Sequence, residues 1–275
     1  MKVECRICPH HCSLEEGQKG LCRARMNISG TVTCENYGKL TAVALDPIEK
    51  KPLHRFHPGS RILSVGSYGC NLRCLFCQNS EISMAGGEEI DTDRTTPEQL
   101  VVYALKTKIR GNIGIAYTYN EPLVSYEFVR DCAVLAREKG LKNVVVTNGY
   151  ICSEPLLELL PFIDAMNIDL KAFTDKFYRK MHGDLETVKT SITLAAEQCH
   201  VEVTTLVIPG ENDSEEEMEQ LSSWLASVNH EIPYHISRFF PRFEMQDRSP
   251  TPVDTIYRLA DVARKHMKYV YEGNV

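Results

Sequence analysis

Residues 67–79 read S-Y-G-C-N-L-R-C-L-F-C-Q-N and set Cys70, Cys74 and Cys77 in a C-x3-C-x2-C spacing. Thiolates gathered this closely select soft metals. Iron–sulfur clusters ordinarily take four thiolates, and structural zinc takes four nitrogen or sulfur ligands. This stretch offers three. Three thiolates on a [4Fe–4S] cube leave one iron without a protein ligand, and an open coordination position is what a metal needs to bind a substrate or cofactor. The spacing therefore points to a small molecule that chelates iron. The competing reading is a zinc or cluster site completed from a distance by His54 or His57.

A second group, Cys5-x2-Cys8-x3-Cys12-x9-Cys22, brings four thiols into a segment too short to bury a core of its own, and such segments need a staple. A structural zinc is the expectation, since it suits four thiolates in a closed tetrahedral site and folds its segment on binding. His10 or His11 could replace a thiolate. An auxiliary iron–sulfur cluster and four unmetallated thiols are the alternatives. The chain has 11 cysteines. Cys132 shares a helical face with Val124, Phe128 and Leu135, and Cys199 with Val188, Ile192 and Ala195. These two, and the isolated Cys34 and Cys152, are read as core residues.

The elements that must position these ligands start at residue 61. Six short runs rich in β-branched residues, at 61–67, 112–117, 143–147, 165–170, 201–208 and 234–239, read as buried strands. Helical patterns lie between them. Thr96-Pro97-Glu98-Gln99 combines an N-cap, a first-turn proline and a capping glutamine. Residues 123–140, 186–199 and 214–227 follow, and Thr251-Pro252 opens a last helix. Strand–helix alternation argues for parallel βα units with right-handed crossovers. Six units fall short of a closed eight, so the fold class is α/β, a partial (β/α)6 TIM-like barrel over residues 61–275. Residues 1–60 break the rhythm and read as a small cysteine-rich N-terminal module with hairpin alternation near 30–45. Cys70 follows the first strand at its C-terminal end, the rim that carries active sites in βα barrels.

Composition narrows the function classes. Apolar content of 43% and charged content of 25% are ordinary for a globular protein. No apolar run is long enough to span a membrane and no apolar leader opens the chain, so a cytoplasmic protein with no membrane role is expected. The net charge of −6 argues against a nucleic-acid partner. The acidic run 210–220 is read as a solvated helix start, with Ser214 capping and Glu217 completing a capping box. Without a signal segment the cysteines point to metal or catalysis rather than to disulfides.

The stretch C-N-L-R-C-L-F-C-Q-N resembles the cluster loop of radical S-adenosylmethionine (SAM) enzymes, and the chain order resembles the branch of the pyruvate formate-lyase activating enzyme. C-R-I-C-P-H-H-C with G-L-C-R (5–23), D-P-I-E-K-K-P-L (46–53) and Y-T-Y-N-E-P (117–122) resemble the AmmeMemoRadiSam system radical SAM enzymes. The resemblance implies that the open iron takes the amino and carboxylate groups of SAM. One-electron cleavage of the sulfonium bond then gives methionine and a 5′-deoxyadenosyl radical that abstracts hydrogen from a substrate.

It also implies roles around the rim. Tyr119-Asn120-Glu121 stands where many of these enzymes have Gly-Gly-Glu, keeping the carboxylate and losing the glycines, so Asn120 and Glu121 are candidate SAM contacts. Asn148, ending the third strand, would meet the ribose or serve the turn. Asp169 and Lys171 resemble a D-x-K element that contacts SAM, with an ion pair as the alternative. His235 matches a strand-six histidine, and Phe76 would pack near adenine. Gly86-Gly87-Glu88 follows no strand and reads as a turn. Arg238 and Arg242 lie beyond strand six, where exposed rim is the default. The implied partners are a flavodoxin or ferredoxin-type reductant, and a protein substrate or companion proteins of the same system. The hydrogen donor is left open between a protein glycine, a partner side chain and a small molecule. A non-catalytic iron–sulfur carrier and a zinc-stabilised interaction module are the rival classes.

Overall fold

The computed structural model describes residues 1–275. One eight-stranded sheet organises it: β1 (Ala42–Pro47), β2 (Arg61–Gly66), β3 (Asn112–Tyr117), β4 (Lys142–Thr147), β5 (Ala165–Asp169), β6 (His200–Val207), β7 (Tyr234–Arg238) and β8 (Val270–Gly273). The strands lie side by side in chain order. β1 runs antiparallel to β2, and every other pairing is parallel. The crossovers carry helices α1 (Pro97–Lys106), α2 (Tyr126–Glu138), α3 (Ser153–Leu159), α4 (Leu185–Ala196), α5 (Glu215–Asn229) and α6 (Val253–Ala263). All six expected strands form, flanked by two more. β8 is a four-residue edge strand too short to stand out in the sequence, and β1 overlaps the alternation noted near 30–45. The Thr96 capping box forms as expected, with Thr96 and Gln99 bonding each other's backbone amides.

Alternation sorts the strand residues to two faces. Leu63, Val65, Ile115, Tyr117, Val145, Met166, Ile168 and Val203 pack against the helices, where Cys132 lies fully buried. The opposite face carries Ile62, Ala116, Val144 and Ala165 and is plugged by Ile48, Leu53 and Phe56 from the β1–β2 connection. Residues 42–57 thus belong to the barrel in packing and hydrogen bonding. Residues outside the sheet begin with two antiparallel ribbons, Val3–Glu4 with Ser13–Leu14 and Arg25–Ile28 with Thr31–Cys34. Lys39–Leu40 pairs with Asp93–Arg94.

The cysteine-rich segment is bolted to the barrel. Arg25, buried, forms a two-pronged ion pair with Glu127 of α2 (2.7 and 2.6 Å) and also donates to the Val124 carbonyl (3.2 Å). The Cys152 amide donates to the Ile7 carbonyl (2.9 Å), so the loop after β4 docks on the same segment. No helix is long and apolar enough to cross a membrane.

Candidate active site at the strand-end rim

The three-cysteine loop leaves β2 at its C-terminal end and is held from both sides. Gly69 has φ +85°, and its amide donates to the Ile82 carbonyl (2.9 Å). The Arg73 amide donates to the Met181 carbonyl (3.0 Å), and the Leu75 carbonyl accepts from Glu244 (2.9 Å). Asn79 donates to the Tyr119 carbonyl (2.7 Å). Cys74 and Phe76 are buried, while Cys70 and Cys77 are half-buried. The Cys70 thiol accepts from the Leu72 amide (3.4 Å) and the Asn148 amide group (3.6 Å). Burial pushes the Cys70 thiol up, helped by the negative charge of Glu121, and pushes Cys74 up to about 11 against the pull of Lys171. Metal binding must displace those protons.

The donor set fits an iron–sulfur cube. Three thiols share one loop with two N–H groups aimed at sulfur, and hydrogen bonds to sulfur are a feature of such sites. His54 does not complete the set, because its ring packs against His235 (4.8 Å) and Tyr271 (4.7 Å) on the sheet. His57 packs against Phe56 in the β1–β2 connection.

The other candidates divide into three groups. Asp169, the last residue of β5, and Lys171, two residues beyond it, form an ion pair at 2.9 Å, and the Lys171 ammonium lies 5.9 Å from the centre of the Phe76 ring. Burial opposes the charge on Lys171, yet Asp169 and Cys74 hold its pKa above the ordinary lysine value. Phe76 packs on Phe177 (6.0 Å), and the Tyr178 hydroxyl accepts from the Lys171 amide (3.0 Å). The expected D-x-K pair therefore borders the cysteine loop.

Asn120, Glu121 and Asn148 form the second group, and their side chains bond mainly within the protein. Asn120 accepts from the Ser67 amide (2.9 Å) and donates to the carbonyls of Tyr68 (3.1 Å), Gly69 (3.0 Å) and Glu121 (3.2 Å). That is a splint for the stretch entering the cysteine loop, where direct cofactor contact was expected. Glu121 accepts the Thr147 hydroxyl (2.7 Å) and the Leu123 amide (3.0 Å) on one oxygen and the Asn148 amide (2.8 Å) on the other. Burial pushes its pKa up to about 7 in spite of those donors. Asn148 closes its turn by accepting from the Tyr150 amide (2.8 Å) and also donates to Asn71 (2.9 Å) and Cys70. Its expected turn role and a contact to the cluster loop are both present.

His235 stands apart. Its ring meets Glu202 of β6 at 2.6 Å and stacks on Tyr271 (5.3 Å), so its hydrogen bond and ring contacts lie away from the loop cysteines. Sequence reasoning missed Asp46, Lys51 and Tyr119. Tyr119 has φ +73°, unusual for a bulky residue, and donates to Asp46 (2.8 Å), which pairs with Lys51 (2.9 Å). The 46–53 stretch was legible as a motif, but its contact with Tyr119 exists only once β1 and β2 pair.

A parallel-sheet half-barrel with three thiols on the loop after its first parallel strand defines a class, and comparison with known proteins bears this out. The sequence signature of the radical SAM superfamily matches residues 64–222. An uncharacterized protein of Methanocaldococcus jannaschii is 44% identical over 100% of this chain and 82% of its own. The chain belongs to the radical SAM superfamily, whose chemistry uses a [4Fe–4S] cluster and SAM. Within it, the pyruvate formate-lyase 1-activating enzyme of Escherichia coli K12 is 27% identical over 65% of this chain and 75% of its own. SuiB of Streptococcus suis, solved bound to S-adenosylmethionine, superposes with a TM-score of 0.59 at 13% identity over 77% of this chain and 51% of that one, a likeness of fold.

Proposed function

We propose that Cys70, Cys74 and Cys77 ligate three irons of one [4Fe–4S] cluster, that SAM binds beside them, and that the radical formed is passed to a glycine of a partner protein. The observation that carries the reading is the Asp169–Lys171 pair bordering the three-thiol loop. Bound together, the cluster and SAM supply a one-electron cleavage of the sulfonium bond to methionine and a 5′-deoxyadenosyl radical. The chain's own groups bind, orient and exclude water. SAM is zwitterionic at its methionine end, and Lys171 offers a cation to the carboxylate while Asp169, the more exposed of the two, offers an acceptor. Phe76, Phe177 and Tyr178 build an apolar wall there, which suits adenine and shields a radical from water. Asn120 and Glu121 act by position, fixing the loop backbone and the turn at Asn148.

The protein target is supported by likeness to an activating enzyme, and the motifs at 5–23, 46–53 and 117–122 resemble those of the AmmeMemoRadiSam group, whose companion proteins are candidate partners. A flavodoxin or ferredoxin-type protein would supply the electron. This reading asks nothing of the four N-terminal thiols. The test is to incubate reduced, cluster-loaded enzyme and SAM with candidate proteins deuterated at glycine. Deuterium in 5′-deoxyadenosine from the glycine-deuterated protein, together with a glycyl EPR doublet from the unlabelled protein, supports activation. Deuterium drawn only from a labelled small molecule or side chain sinks the glycine target, and no 5′-deoxyadenosine from any combination sinks catalysis. Lys171→Ala should weaken SAM binding about tenfold or more while leaving the loop's iron in place, as measured by equilibrium dialysis and iron analysis.

A further inference from the structure

β3 leaves the sheet through a strained turn. The Asn120 amide donates to the Thr118 carbonyl (3.1 Å) across Tyr119, whose φ is +73°. A hydrogen bond closed over one residue of positive φ is the rarer, strained form of the γ-turn. Glycine adopts it freely, but a tyrosine persists there only where its surroundings over-determine it.

The surroundings of Tyr119 do so from three sides. Its hydroxyl donates to Asp46 (2.8 Å), which also accepts from Lys51 (2.9 Å), and the Lys51 ammonium lies 4.6 Å from the centre of the Tyr119 ring. Asn79, two residues past Cys77, donates to the Tyr119 carbonyl (2.7 Å). The ring lies against β2, where a Cβ built on Gly66 would come within 2.8 Å of the Tyr119 Cδ2 and 3.0 Å of its Cβ. Burial opposes the charge on Asp46, but Lys51 and Tyr119 hold its pKa at about 2, and burial together with the Asp46 carboxylate pushes the Tyr119 hydroxyl up to about 12. The phenol therefore stays a donor and the carboxylate an acceptor throughout the neutral range.

Stability alone does not account for this arrangement. The Lys51 side chain is 4% exposed and that of Asp46 14%, and a buried ion pair is often no more stabilising than apolar side chains of the same volume. What the pair supplies is direction. The turn it holds leads into Asn120 and Glu121, which fix the stretch entering the cysteine loop and the turn at Asn148. Lys171, offered above to SAM, follows β5, two strands further along the same rim and about 10 Å away at the usual strand spacing.

Resting on the reading that SAM binds at this rim, we propose that Tyr119 is a positioning residue for SAM: Asp46 and Lys51 clamp its ring on Gly66, and the clamp holds the end of β3 in the conformation that seats SAM beside the three thiols. The 46–53 stretch serves the cofactor through Tyr119.

The test uses the full chain, reconstituted without oxygen, and reads SAM bound per loaded cluster and the EPR response of the reduced cluster to SAM, beside iron content and thermal melts. Tyr119→Phe removes one hydroxyl and keeps the ring. It should bind SAM about threefold or more weakly by equilibrium dialysis and blunt the SAM-induced EPR shift. Its iron should stay near the wild-type level, because the four bonds of Asn120 remain. Asp46→Asn should lose a similar factor, and the double variant no more than either single one, since both cut one tether. Gly66→Ala acts from the opposite side. Gly66 closes β2 without a positive φ, so alanine there should weaken SAM binding by pushing the ring aside, and in a Tyr119→Gly background the same change should cost little further. SAM affinity within about twofold of wild type in both Tyr119→Phe and Gly66→Ala, with only the melting temperature lowered, makes the clamp a stabilising contact and overturns the proposal. Additive losses in the double variant overturn it as well. Should Tyr119→Phe fail to fold, Asp46→Asn and the suppression of Gly66→Ala by Tyr119→Gly decide in its place. A wild type that loads its cluster and binds no SAM sinks the reading of the rim together with this inference, whereas equal SAM binding by wild type and variants sinks this inference alone.

Discussion

Asn120 shows how a polar residue can serve a metal site without touching the metal. All its side-chain hydrogen bonds go to backbone groups between Ser67 and Glu121. Each buried group it satisfies would cost about 1–3 kcal/mol if left alone. Asn120→Ala should therefore destabilise the protein by about 3 kcal/mol or more and lower the iron bound at Cys70, Cys74 and Cys77. Asn120→Asp should do no better, because a carboxylate placed against the carbonyls of Tyr68 and Gly69 repels them. Thermal melts and iron analysis after reconstitution check both, and full iron loading in either variant would contradict the splint. The three loop cysteines were legible because their meaning lies in covalent spacing. The task of Asn120 was not, because what an amide bonds depends on which carbonyls the fold brings to it. Lys171 lies between these cases, since the D-x-K motif named it and the 2.9 Å pair with Asp169 gave it a setting.

Among elements, the plug formed by the β1–β2 connection was the least legible. Its anchor is Glu202 on β6, fully buried, which accepts the backbone amides of His54 (2.9 Å) and Arg55 (2.7 Å) and the rings of His200 (2.9 Å) and His235 (2.6 Å). Nothing in a strand sequence announces that one glutamate will hold a loop about 150 residues distant in the chain, as the pairing of His54 with Glu202 requires. Burial opposes the charge on Glu202, but His200, His235 and the two amides win and lower its pKa from 4.5 to about 2. A carboxylate with a depressed folded pKa adds stability that is complete above the unfolded value and is lost as pH falls through the folded one. Urea unfolding should accordingly lose up to about 3 kcal/mol from this group between pH 4.5 and pH 2. Glu202→Gln should be less stable at neutral pH and should show a flatter acid limb. An acid limb identical to that of the wild type would show that other carboxylates set it.

At the scale of the whole molecule, the N-terminal segment and the barrel approach most closely at Gly69, and that contact separates two kinds of cost. Gly69 and Gly17 both have positive φ, +85° and +74°. A side chain at either must adopt a strained backbone, a penalty of about 1–2 kcal/mol. At Gly17 the added Cβ would meet nothing within 4 Å, whereas at Gly69 it would collide with backbone of the other unit at Cys22. Backbone cannot swing aside as a flexible side chain can, so Gly69→Ala must move the segment or the loop. The half-barrel, six of its strands, five of its helices and its three-thiol rim were readable from period and spacing, but this seam was not, because no local pattern records a close approach between distant segments. Gly17→Ala should lower the melting temperature slightly and leave iron content unchanged. Gly69→Ala should cost more in stability and should disturb the site at Cys70, Cys74 and Cys77, seen as lower iron there and an altered EPR response to SAM. If both alanine variants behave alike, the strain at φ explains everything and the segment does not bear on the loop. If Gly69→Ala alone alters the SAM-responsive signal, the cysteine-rich segment forms part of the wall that shapes the site.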